Sequence, residues 1–250
     1  MWRASPPDAA HVRLLKKARE RHDLSPLAIH ANYLINLASC DSVLRTMSVT
    51  AFRGEMERAL TIGAEYLVVH PGNCKGYSVE EGIVSMVRSL AESARHLKTE
   101  GLTVLLENTA GAGNALGGRF EELAMMRKAA TEFTDLQVGF CIDTCHCLAS
   151  GYDVATPAGL RKTVNQMKDI LGLENVPVIH ANDSKTPLNS HVDRHANIGE
   201  GYIGETGFCG ILRHPKLRSK AFLLETPIDN EGDDRKNVDA LKRLCREKST

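Results

Sequence analysis

"LQVGFCIDTCHCLASGYD", residues 136–153, sets a run of apolar and β-branched residues directly before Asp143, with His146 three positions further on. Such a run reads as a strand buried on both faces, the kind found in a parallel sheet. Five more runs share its form: "PLAIH" ending at His30, "EYLVVH" at His70, "LTVLLE" at Glu107, "VPVIH" at His180 and "AFLLE" at Glu225. Between them lie stretches of helical period, such as "SVLRTMSVTAFRGEMERALTIG" (42–63) and "VEEGIVSMVRSLAESARHLKTE" (79–100). Strand alternating with helix, at intervals of roughly 40 residues, predicts an α/β fold of the TIM-type (β/α) barrel class with about six parallel strands. A barrel of this length is expected to form one domain, residues 1–250.

All six runs end in a residue able to bind metal. In a parallel barrel those ends meet at one rim, where active sites lie. His30, His70, Glu107, Asp143, His180 and Glu225 are therefore expected to converge. His146 is a further candidate, as are Asp193 and His195 in "SHVDRHANIGEG" (190–201), a stretch with little to offer a hydrophobic core. Oxygen and imidazole donors without cysteine suit Zn²⁺, Mn²⁺ or Fe²⁺. Catalytic zinc usually takes about three protein ligands and keeps a position open. Nine ligands, one carboxylate being shared, can thus serve three ions, and clustered ions are the machinery of phosphate-ester hydrolysis.

Other features read more plainly. The seven cysteines show no small-scaffold spacing, so a reducing compartment is expected, and the chain is expected to be cytoplasmic. Cys141, Cys145 and Cys147 read as packing residues. His11, His22, His96, His191 and His214 read as surface or packing residues. No apolar run approaches the roughly 18 residues of a membrane span, and no leader-like segment opens the chain. Lys plus Arg and Asp plus Glu each number 31, a balance that argues against a dedicated nucleic-acid binder.

Several motifs together resemble the endonuclease IV family of apurinic/apyrimidinic endonucleases: "HANYLINLA" from His30, "HPG" from His70, "LLENTAG", "CIDTCHCLASGYD" and "HANDSKTPLNSHVDRHANIGEGYIG". The resemblance runs in order from Trp2 to about Pro227. It implies a TIM barrel with three zinc ions, acting as a monomer on double-stranded DNA that contains abasic sites. It implies that His30, His70 and Glu107 hold the first ion. Glu107, Asp143, His180 and Glu225 would hold the second, with Glu107 as the catalytic bridge, and His146, Asp193 and His195 the third. Metal-activated water would cut the phosphodiester 5′ to the abasic site, leaving a 3′-hydroxyl and a 5′-deoxyribose phosphate. Tyr33 occupies the position from which the family inserts an aromatic ring into DNA.

Two departures stand out. The family's first strand–helix–strand unit, which carries an intercalating arginine, has no counterpart before Trp2. The expectation is therefore a barrel incomplete at its N-terminus, with the strands ending at His30 and Glu225 as edges. Asn189 replaces a glycine common in the family, and Asn tolerates left-handed backbone. Two other functions fit the barrel less well: a metal-dependent sugar isomerase or epimerase, and a non-catalytic binder of damaged DNA. The "DRH" cluster separates the first, because sugar isomerisation needs no third ion.

Overall fold

The computed structural model describes residues 5–246, so Trp2 lies outside the described residues. The chain divides into two compact units, one running up to Glu107 and including Glu122–Gly139, the other comprising Asn108–Glu121 and the chain from Phe140.

The first unit contains α1 (Ala9–His22), β1 (Ala28–His30), α2 (Ser42–Ile62), β2 (Tyr66–Val69), α3 (Val79–Ala94), β3 (Thr103–Glu107) and most of α4 (Phe120–Phe133). Its strands pair in parallel in the order β1-β2-β3. Leu67, Val68, Val69, Val104, Leu105 and Leu106 are all buried, which is why these strands read as unbroken apolar runs. α2 starts where the Asp41 side chain accepts the Leu44 N–H and stops at Gly63, whose φ of 73° is left-handed. Phe52, Met56 and Ala59 form its buried stripe. α3 opens with a capping box between Ser78 and Glu81. It ends at Ala94 and not near residue 100, because Arg95 leaves the helical path with a ψ of 122° and His96 follows with a φ of 63°. α1 buries no residue of its own and is tied down by Arg19, which donates to the Gly63 carbonyl at 2.8 Å and pairs with Glu65 at 2.8 Å.

The second unit contains the paired end of β4 (Gln137–Asp143), α5 (Thr144–Ala149), α6 (Pro157–Gln166), β5 (Val178–His180), β6 (Asp183–Ser184), β7 (His195–Ala196), α7 (Gly204–Arg213), β8 (Ala221–Leu223) and α8 (Asp233–Arg246). β4, β5 and β8 pair in parallel in that order. β6 and β7 pair antiparallel over two residues each, so His195 begins a short strand where the sequence suggested a loop. Among the described residues, no helix is long and apolar enough to cross a membrane.

Two strands stop short of their expected ends. β2 ends at Val69, and His70 follows it, because Pro71 has no N–H to carry the ladder onward. β8 ends at Leu223, where it pairs with His180. Two residues on, the Glu225 N–H donates to the Asn182 side chain at 2.8 Å.

Candidate metal centre

In the first unit, three adjacent parallel strands bring their carboxyl ends together. The register sets Val69 beside Leu106, so His70 and Glu107 are level, while His30 lies beside Val68. His30 Nε2 is 2.9 Å and His70 Nε2 3.6 Å from the same Glu107 oxygen, Oε2, and the rings are 5.2 Å apart. Glu107 is fully buried. His30 Nδ1 lies 2.6 Å from the Ala31 carbonyl, which can only accept, so Nδ1 carries the hydrogen.

The second unit builds a larger cluster. Asp143 and His180 are level, as the last residues of paired strands. Asp143 also caps α5, its Oδ1 accepting the His146 N–H at 2.8 Å, and the helix then turns His146 back toward it. His146 Nε2 is 3.1 Å from Asp193 Oδ2, and His195 Nε2 is 3.3 Å from Asp193 Oδ1 and 3.7 Å from Asp143 Oδ2. His180 Nδ1 is 3.2 Å from Glu225 Oε2.

The pattern of anchors repeats. His146 Nδ1 sits 2.9 Å from the Asn108 carbonyl, and His195 Nδ1 sits 3.0 Å from the Glu225 carbonyl. In both rings, as in His30, Nδ1–H is spent on a backbone carbonyl and Nε2 is turned toward carboxylate oxygen. Metal-bound histidines are oriented in this way. Spacing gives a second test. Two donors about 2.05 Å from one tetrahedral ion stand about 3.3 Å apart. The distances of 3.1 Å and 3.3 Å to Asp193 match. His195 Nε2 is buried and forms no hydrogen bond among the described residues, despite two carboxylates nearby. The residues fit divalent metal.

The sequence reading missed the residues that hold these ligands. Asn108 donates to the Asp143 carbonyl at 3.2 Å and accepts its N–H at 2.7 Å. Asp183 accepts five backbone N–H groups, from Ser184, Gly199, Gly201, Ile203 and Gly204. A side chain at Gly201 would strike Asp183 and Ser184, which explains the second glycine of "GEG" (199–201). The only sequence signal for these residues was their place beside ligands in "ENTAG" and "HAND".

The cysteines behave as packing residues. Burial, with Asp143 nearby, pushes the Cys145 thiol up to about 12, and burial also pushes Cys147 well up. Asn189 has a φ of 62°, the left-handed backbone that the glycine replacement needed. His191 does not pack away, but stands exposed with Nδ1 3.2 Å from the Ala110 carbonyl. Tyr33 is 84% exposed.

The "Xylose isomerase-like TIM barrel" family model matches residues 1–247. A "Probable endonuclease 4" from Solibacter usitatus is 58% identical over 245 residues, covering 98% of this chain and 84% of that relative. The chain belongs to the endonuclease IV family, within the xylose isomerase-like TIM barrels. The crystal structure of endonuclease IV from Thermus thermophilus is similar to this family member with a TM-score of 0.85 and 34% identity, over 99% of this chain and 86% of that one. A D-tagatose 3-epimerase-like protein matches with a TM-score of 0.72 at 24% identity, over 95% of this chain and 83% of that one, a likeness of fold alone.

Proposed function

We propose that this endonuclease IV family member hydrolyses the phosphodiester bond 5′ to abasic sites in double-stranded DNA, using divalent metal, zinc first among the candidates. Family membership supports the reaction. The observation that carries the metal is the repeated one above: three imidazoles, each fixed through Nδ1–H to a backbone carbonyl, each aiming Nε2 at a carboxylate. His30, His70 and Glu107 would hold one ion, and His146, Asp193 and His195 another. The resemblance assigns Asp143, His180 and Glu225 to a third. Bound divalent ions would supply activated water and neutralise charge on the phosphate.

The protein's own side chains would do the rest. Asp193 is half exposed, and the cluster it closes is therefore open on one side to substrate. Tyr33 stands exposed three residues past His30, placed to insert against a lesion that lacks base pairing and is cheap to extrude. The zero formal charge is no obstacle. Four of the proposed ligands are carboxylates, and three dications would return six positive charges to the binding face.

The test is nicking of a duplex with a single abasic analogue, with and without chelator, beside measured metal content. Specific cleavage that chelation abolishes is expected. Cleavage that persists without metal, or metal-loaded protein that binds the duplex and leaves it intact, would overturn the reading.

A further inference from the structure

We infer that Asn182 is a positioning residue, whose side-chain amide sets the geometry of three candidate metal ligands and so the strength of metal binding. This rests on the function proposed above. Asn182 is fully buried. Its Nδ2 donates to Asp143 Oδ2 at 2.6 Å, and its Oδ1 accepts the Glu225 N–H at 2.8 Å. Only one orientation of the amide serves both, because the carboxylate can only accept and the backbone N–H can only donate.

The consequence for Glu225 is direct. β8 ends at Leu223, and two residues on the Asn182 oxygen takes the Glu225 N–H. The Glu225 carbonyl in turn accepts from His195 Nδ1 at 3.0 Å, and that bond sets which way His195 Nε2 points. One amide therefore governs Asp143 directly, Glu225 through its backbone, and His195 through Glu225. Asn182 is itself held by Thr144, whose Oγ1 donates to the Asn182 carbonyl at 2.7 Å and accepts its N–H at 3.0 Å. Its backbone would stay in place without the amide.

Asn182→Asp keeps the shape and the acceptor for Glu225, but sets an oxygen against Asp143 Oδ2. Asn182→Ser removes both amide contacts. Outer partners of metal ligands are typically worth about 10–100-fold in affinity. Zinc affinity of each variant would be measured by competition with a chromophoric chelator, and thermal melting of the metal-stripped proteins alongside. Expected is a loss of zinc affinity of about 10–100-fold, with stripped melting temperatures lowered by only a few degrees and kcat falling more than KM. Unchanged zinc affinity would overturn the inference, as would variants that fail to fold or melt far lower when stripped, since Asn182 would then be a framework residue. Wild-type protein that binds neither zinc nor another divalent ion would overturn the proposed function and this inference together. Zinc-binding, active wild type with unaffected variants would sink the inference alone.

Discussion

Asp193→Ala separates metal binding from folding more cleanly than any other change at the site. Asp193 offers one oxygen to His146 and the other to His195, yet about half of its side chain is exposed. Removing an exposed carboxylate should cost the metal-free protein no more than about 0.5 kcal/mol. With metal the account changes. An ion present at about 100 times its dissociation constant stabilises the folded state by about 2.7 kcal/mol. For a chain of this size each kcal/mol moves the melting temperature by about 2–4 °C, so loss of one ion should cost about 5–11 °C in excess zinc. Calorimetric melting of wild type and variant, each with zinc and with chelator, gives four curves. The two chelated curves should coincide, the two zinc curves should separate, and metal analysis should find about one ion fewer per chain in the variant. Equal metal content and an equal zinc-induced rise would show that the "DRH" cluster binds nothing.

Glu107→Gln should reduce nicking well beyond the ~10–100-fold that loss of an outer partner costs, because a buried carboxylate facing both His30 and His70 is replaced by a neutral amide; single-turnover cleavage by the folded, metal-loaded variant checks it. Tyr33→Ala should leave the melting temperature unchanged and raise KM for the abasic duplex several-fold, since the ring is exposed. Cys145, pushed up to about 12 by burial and by Asp143, should resist alkylation at pH 8 in native metal-free protein, where about one thiol in 10⁴ is ionised, and react once the chain is unfolded. For Glu65, burial alone would raise the carboxyl, but the Arg19 side chain and the Leu27 N–H together outweigh it and hold it below the ordinary range. A lowered folded value stabilises above the unfolded value and is lost as pH falls through the folded one, so Glu65→Gln should melt below wild type at pH 7 and approach it as the pH falls below the ordinary carboxylate range.

What the sequence revealed, and what it hid, follows from the physics of each feature. In an unbroken apolar run a charged or imidazole residue at the end stands out; His30, Glu107, Asp143 and His180 were legible for that reason and do end their strands. His70 and Glu225 were legible as residues but not as positions, because an apolar run does not say where ladder bonding stops. Pro71 cuts one ladder, and past the end of the other strand the Asn182 side chain takes the Glu225 N–H. The end of α3 was hidden because "ARHLKTE" keeps a helical pattern, and nothing in it announces the positive φ of His96. Asn108, Asn182 and Asp183 were hidden most deeply. Each acts through backbone groups remote in sequence, and a one-dimensional pattern carries no record of such partners.

Close contact between imidazole and carboxylate has two physical explanations, a proton between them or a metal. At His30 and Glu107 the 2.9 Å separation suits either. The cluster around Asp193 distinguishes them. If His195 carried a proton on Nε2, that N–H would be a charged donor, and charged donors draw carboxylates to about 2.7–2.9 Å in line with the N–H. The oxygens instead stand at 3.3 Å and 3.7 Å, and no hydrogen bond forms at this buried nitrogen. A buried donor left without an acceptor costs about 1–3 kcal/mol. Nor is Asp143 at liberty to move closer, because its oxygens already accept from the His146 N–H and the Asn182 amide. A neutral ring with a lone pair on Nε2 removes that cost but sets lone pair against anion, which no amount of packing would favour. The proposed ion among the donors would resolve both objections. It needs the lone pairs aimed inward, it needs the oxygens held apart from the nitrogens, and it needs no hydrogen between them.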